Sequence, residues 1–123
     1  GKMKRDFTYI DDIVEGIIRI QAVVPVRNPN NTNTSPSSSK APYKVFNIGN
    51  NDPIALMTFI EAIEKAAGKK AEKNFMPMQA GDVPATFADI DSLKEAVGFK
   101  PDTDIKYGMQ QFVAWFKAYY KLA

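Results

Sequence analysis

The sequence predicts a small mixed α/β unit of two or three short strands and about four helices, and three observations carry that expectation. Apolar residues recur at helical spacing in separate stretches, short extended-looking runs stand between them, and glycine or proline punctuates most junctions. With 123 residues, 45% of them apolar, the chain is the size of one domain and can build a modest core.

Residues 5–9 read as extended, because Phe7 and Tyr9 alternate with Asp6 and Thr8. A helix follows. Ile13, Ile17, Ile20 and Val24 recur along one face, and Ile10, Val14 and Ile18 broaden it beyond a narrow stripe. Thr8 is placed to cap this helix, with Asp11 as the reciprocal acid, and Pro25 stops it. Residues 27–42 are rich in Asn, Ser and Pro and read as a polar surface loop or a disordered excursion, not as a boundary between two folding units. The two N-glycosylation triplets in that loop, beginning at Asn30 and Asn33, are common in such composition and carry no weight without a secretion signal.

Order returns at residues 43–48, Tyr-Lys-Val-Phe-Asn-Ile, which predict a strand closed by Gly49 and a turn-rich stretch over 50–53. Leu56, Phe59, Ile60, Ile63 and Ala67 then mark one face of a helix ending on Gly68, a residue suited to the left-handed cap. A short strand is expected at 73–76, followed by an irregular stretch over 77–89 that contains Pro77, Gly81 and Pro84. A short helix over about 91–97 turns Leu93, Ala96 and Val97 inward and closes on Gly98. Asp104 is placed to cap the last helix, where Ile105, Met109, Phe112, Val113, Phe116 and Tyr120 share a side and Trp115 sits partly off it. So few strands call for helices or a neighbouring domain to cover them.

Composition removes several classes of chemistry. Sixteen basic and fourteen acidic side chains leave a net charge of +2, too little for an electrostatic nucleic-acid binder. Without cysteine there is no disulfide, thiolate nucleophile or zinc finger, and without histidine the commonest neutral-pH proton shuttle and metal ligand is missing. No apolar run approaches the roughly 20 residues that span a bilayer, and no signal-peptide pattern opens the chain, so a soluble, cytoplasmic protein is the expectation. There is no G-x-G-x-x-G, no Walker loop and no metal-ligand spacing, so no catalytic, cofactor-binding or metal residue is nominated. The acid pairs Asp11 with Asp12, Asp89 with Asp91 and Asp102 with Asp104 stand at helix beginnings, where carboxylates meet exposed backbone N–H groups, and read as structural.

Two places remain as candidates. Arg5 lies between an extended segment and the first helix, where its fork of donors could clamp a phosphate; a solvated arginine, or one paired with Asp6 or Asp11, is the competing reading. The other is Gln79-Ala80-Gly81-Asp82, where glycine permits close backbone approach and the carboxylate can accept from two hydroxyls. An ordinary loop turn explains the same letters.

The strings RDFTYIDDIVEGI, PYKVFNIGN, FIEAIEKAAGKKAEKN, PMQAGDVPATFADI and VGFKPDTDI, in that order, resemble the C-terminal portion of UDP-glucuronate 4-epimerases. These belong to the NAD-dependent epimerase/dehydratase branch of the extended short-chain dehydrogenases, and the resemblance runs through essentially all 123 residues. It implies a longer parent enzyme whose N-terminal Rossmann domain, absent from this chain, binds NAD and holds a catalytic Tyr-x-x-x-Lys. No tyrosine here has a lysine four residues later. Residues 1–123 would then be a nucleotide-sugar-binding region, inactive alone, whose partners are a UDP-sugar and the missing Rossmann domain, with a homo-oligomer also open.

By the same resemblance, Arg5 maps onto the arginine that contacts the UDP diphosphate, and Asp82 onto the aspartate that accepts from the ribose. Gln79 stands where UDP-galactose epimerases carry arginine, and a neutral residue suits a substrate with an extra carboxylate. Ala80 departs from the usual proline of P-G-D without removing a ligand group. The implied reaction interconverts UDP-glucuronate and UDP-galacturonate at C4 through a 4-keto intermediate. A UDP-glucuronate decarboxylase or other dehydratase of the same family is one alternative, and a noncatalytic binding or assembly domain is another.

Overall fold

The computed structural model describes residues 1–33 and 35–122. Its elements are β1 (Lys4–Arg5), α1 (Ile10–Ile20), β2 (Ile54–Ala55), α2 (Leu56–Ala67), α3 (Asp91–Val97) and α4 (Ile105–Tyr120). The two strands pair antiparallel, Lys4 opposite Ala55 and Arg5 opposite Ile54. The small α/β unit with four helices is therefore present, with strands shorter than the sequence suggests.

Local signals set three of the helix ends. Asp104 caps α4 by accepting from the Lys106 N–H at 2.8 Å, while α2 and α3 close on Gly68 and Gly98 in the left-handed conformation. The acid pairs lie at helix beginnings. Asp11 and Asp12 sit in the first turn of α1, and Asp89 accepts from the Asp91 N–H at 3.1 Å where α3 begins.

The start and end of α1 differ from expectation. Tyr9, not Thr8, occupies its N-cap, and no side chain bonds there. The helix ends at Ile20 instead of running to Pro25, tightening into i+3 bonds from Ala22 N–H to the Arg19 carbonyl and from Val23 N–H to the Ile20 carbonyl. Pro25, which has no N–H and disfavours helical backbone at Val24, bars any continuation beyond that tightened turn.

The strand expected at 43–48 does not form as a ladder. Its only pairing among the described residues is an isolated bridge between Ser38 and Lys44, supported by Val45 N–H on the Ser37 carbonyl at 2.8 Å. A β-favouring run becomes a strand only where a neighbouring backbone offers donors and acceptors, and Tyr43 and Val45 stay exposed here. The strand expected at 73–76 is likewise irregular and exposed. β2 instead forms just beyond the turn-rich 50–53, because β1 lies beside it. The 27–42 loop is held by local side-chain bonds such as Asn31 Nδ2 to Ser38 Oγ at 3.3 Å; Thr34, inside the Asn33 triplet, lies outside the described residues.

The core is thin. α2 packs on α4 and α1 on α3, and the buried apolar side chains among the described residues are Ala62, Ile90, Leu93 and Val113; Pro101 is also fully buried. Phe7 stacks on Phe59 with ring centroids 4.0 Å apart, fixing the chain between β1 and α1 against α2. Asp12 accepts from the Thr103 N–H at 3.0 Å and ties α1 to the turn before α4. Ile10, Ile17 and Ile18 of α1 and Phe112, Trp115 and Tyr120 of α4 remain exposed, so much of each apolar face is uncovered. No helix among the described residues is long and apolar enough to cross a membrane.

Candidate functional site

Three strips of chain meet at Arg5. β1 carries it, β2 pairs along one side, and the irregular stretch after Asp82 runs past the other. Lys4 N–H donates to the Pro84 carbonyl at 2.9 Å and Thr86 N–H to the Lys4 carbonyl at 3.3 Å, forming a parallel bridge between Lys4 and Ala85. Proline leaves no donor at residue 84 but keeps its carbonyl, which is the group this pairing uses.

The pairing brings Arg5 against residues almost 80 positions away in sequence. Its Nη1 donates to the Lys4 carbonyl at 2.9 Å and to the Val83 carbonyl at 2.8 Å, and its Nη2 lies 3.6 Å from Asp82 Oδ1. A 3.6 Å separation is a charge pair and not a hydrogen bond. One end of the guanidinium is thus anchored, while the other stands beside a carboxylate without being saturated by it. The Arg5 side chain is 23% exposed and that of Asp82 43% exposed, so a ligand can reach both. Neither Asp6 nor Asp11 is the partner. The Asp6 carboxylate takes the backbone N–H groups of Asn51 and Ala88, and Asp11 stands beside Tyr9.

Gln79 and Asp82 close a tight turn, with Asp82 N–H donating to the Gln79 carbonyl at 3.2 Å. Gly81 supplies the positive φ of 94° that this turn needs and that a side chain would disfavour. The ordinary-turn reading is therefore correct as local structure, and the same turn delivers Asp82 to Arg5. Gln79 and Asp82 also line an open pocket of about 930 Å³ whose walls include Met3, Ile60, Phe75 and Met78. Arg5 stands outside that lining, next to Asp82.

A carboxylate beside the guanidinium restricts what can bind. An anion approaching Arg5 is repelled by Asp82 unless the ligand also offers donors to that carboxylate. One ligand carrying an anionic group and neighbouring hydroxyls satisfies both side chains.

One buried group of the pocket has no forerunner in the sequence reading. The Glu64 side chain is 3% exposed and accepts from Lys70 Nζ at 2.7 Å, from Ala71 N–H at 3.1 Å and from Lys73 Nζ. The Lys70 hydrogen bond, then those of Lys73 and Ala71, pull the Glu64 carboxyl from 4.5 down to about 2 against the opposing effect of burial, and Glu64 in turn raises Lys70. This latch fixes residues 70–73, from which the chain runs to Gln79. The only sequence signal for it is the basic run that follows Gly68. Tyr9, by contrast, is pushed up by desolvation first and by Asp11 second, the opposite of what a tyrosinate base requires. No group of three or more potential metal ligands occurs among the described residues.

No family model matches the chain. Protein CapI of Staphylococcus aureus is 51% identical over 123 residues, covering 98% of this chain and 37% of that protein. A probable UDP-glucuronate 4-epimerase of Rhizobium meliloti is 46% identical over 126 residues, covering 100% and 37%. Among solved structures, UDP-glucuronic acid 4-epimerase from Bacillus cereus, in complex with UDP-glucuronic acid and NAD, superposes with a TM-score of 0.73 at 27% identity, over 98% of this chain and 34% of that one. The chain spans little more than a third of the length of the curated relatives it matches. Over that span, the chain is homologous to the UDP-sugar 4-epimerases of the NAD-dependent epimerase/dehydratase family, a branch of the extended short-chain dehydrogenases.

Proposed function

We propose that residues 1–123 are the nucleotide-sugar-binding part of an NAD-dependent epimerase that interconverts UDP-glucuronate and UDP-galacturonate at C4. The observation that carries this reading is Arg5 held beside Asp82 and the Val83 carbonyl, next to an open pocket. Arg5 binds the diphosphate through the end of its fork not anchored by carbonyls. Asp82, charged and accepting, turns to the ribose hydroxyls. Gln79, a neutral neighbour, leaves room for a substrate carboxylate without adding a second fixed cation. Gripping the nucleotide and not the sugar leaves the sugar free to present either face, as inversion at C4 requires.

The residues here do not fit NAD. A dinucleotide site needs a parallel strand feeding a glycine-rich turn and a helix N-terminus. β2 instead is antiparallel to β1 and enters α2 directly, with Ala55 at the N-cap. The redox chemistry is assigned to the remainder of the parent protein, and no step of it is drawn from these residues.

The test is to incubate the intact protein carrying this chain with UDP-glucuronate and NAD, then separate the nucleotide sugars. UDP-galacturonate is the expected product. Release of carbon dioxide with a UDP-pentose identifies a decarboxylase instead, and an unchanged substrate pool refutes the enzyme reading. Residues 1–123 alone are expected to give no turnover, and conversion proportional to their concentration overturns the assignment of the chemistry elsewhere.

A further inference from the structure

We infer that Asp6 is a positioning residue for the nucleotide grip: its carboxylate holds the strip that carries Asp82 and the Val83 carbonyl in register with Arg5. The inference rests on the nucleotide-binding reading above.

Arg5 ends β1 and Asp6 follows it directly, so the two side chains meet the 82–88 strip at different points. Arg5 grips the passing strip at Asp82 and Val83. Asp6 grips the same strip farther along. Its Oδ2 accepts from the Ala88 N–H at 3.0 Å, and its own N–H donates to Thr86 Oγ1 at 3.4 Å. The same Oδ2 accepts from the Asn51 N–H at 3.0 Å, so one oxygen joins three chain segments. Charge-assisted acceptance from two backbone donors is stronger than the neutral bonds by which Lys4 holds residues 84 and 86.

The surroundings are built for this junction. Gly49 is buried, and a Cβ there would lie 2.5 Å from Ala88 Cβ and 3.0 Å from Asp6 Oδ2. The turn at 49–51 and the strip at Ala88 can close on the carboxylate only because no side chain intervenes. Asn51 has a φ of 55°, a conformation uncommon away from glycine, which its bond to Asp6 helps to hold. Asp6 Oδ1 is buried without a partner among the described residues. A buried carboxylate oxygen left unpaired is costly, so Asp6 retains its place through what Oδ2 fastens.

Asp82 is not hydrogen-bonded to Arg5, so its distance from the guanidinium depends on the backbone strip and not on the ion pair. Releasing the strip at Ala88 therefore loosens the geometry of Asp82 and Val83 around Arg5, although Asp6 touches no ligand itself.

Calorimetric titration of the intact protein with UDP tests this. Asp6→Ala is expected to weaken UDP affinity about tenfold among folded molecules. Asp6→Asn keeps an oxygen for the two N–H groups and is expected to stay within about threefold of the unaltered protein. In an Arg5→Ala background, Asp6→Ala is expected to add less than about twofold, because the group it positions is gone. Amide exchange without ligand should quicken at Asn51 and Ala88 in the alanine variant. If Asp6→Ala does not fold, Asp6→Asn is read through amide exchange instead: loss of the carboxylate charge should still quicken exchange at Asn51 and Ala88, and unchanged exchange overturns the inference. Unchanged UDP affinity in a folded Asp6→Ala protein, fully additive losses in the double variant, or unchanged exchange at Ala88 overturns the inference alone. Failure of the unaltered protein to bind UDP overturns the nucleotide reading and this inference with it.

Discussion

Replacing Arg5 with alanine in the intact protein separates the bonds its guanidinium makes within the fold from the diphosphate contact proposed for it. The structure gives Nη1 two carbonyl acceptors, on Lys4 and Val83, and gives Nη2 only a loose charge pair with Asp82 at 3.6 Å. The carbonyl bonds are partly exposed and neutral at the acceptor, so their loss should cost about 1 kcal/mol of stability. On the proposed role, a diphosphate oxygen at the other end of the fork would make a charged hydrogen bond worth roughly 2 kcal/mol, or about thirtyfold in affinity. Loss of Arg5 also leaves the Asp82 charge facing the incoming anion. That repulsion is about 1 kcal/mol at 4 Å in water, so thirtyfold is the lower end of the expected loss. Arg5→Lys should restore charge but not the fork, and so remain impaired. Titration with UDP-glucuronate and separately with NAD is the assay, with weakening expected for the sugar nucleotide alone. Unchanged UDP-glucuronate affinity in a folded Arg5→Ala protein, or an equal loss toward NAD, refutes the diphosphate role.

Two further outcomes follow from other parts of the molecule. Glu64 titrates at about 2 in the fold against an ordinary 4.5, so the unfolded chain binds the extra proton between those values. The stability Glu64 contributes is present above pH 4.5 and is lost as pH falls toward 2. Urea unfolding at stepped pH should show that acid slope flattened in Glu64→Gln, and an identical slope in both proteins removes the latch from the account. The exposed Ile10, Ile17 and Ile18 of α1 form an apolar face that residues 1–123 alone leave in water. The isolated segment should therefore self-associate, and Ile18→Lys should reduce this. Sedimentation showing a monomer at roughly hundreds of micromolar counts against that surface.

The helices were legible because their determinants are local. Asp104 bonds a donor two residues on, and Gly68 and Gly98 end helices whose apolar periodicity lies within the preceding turns. The candidate residues Arg5, Gln79 and Asp82 were legible only through the resemblance of whole blocks, since each block alone reads equally well as a turn or a solvated charge. What only tertiary structure decided is who meets whom. Arg5 turned to Val83 and Asp82 and not to the nearer Asp6 or Asp11, because residues 84–86 pair with Lys4 and carry the turn to it. Asp6 was thereby left to Asn51 and Ala88, 45 and 82 residues away. Glu64 is buried because the chain folds back on α2 past Gly68 and delivers two lysines to it. The β-favouring 43–48 run stayed outside any sheet while two residues beyond a turn became β2, because a strand exists only where another backbone lies alongside. Periodicity and capping reach a few residues along the chain, whereas pairing, burial and the neighbours of a charge are fixed by segments that sequence order keeps far apart.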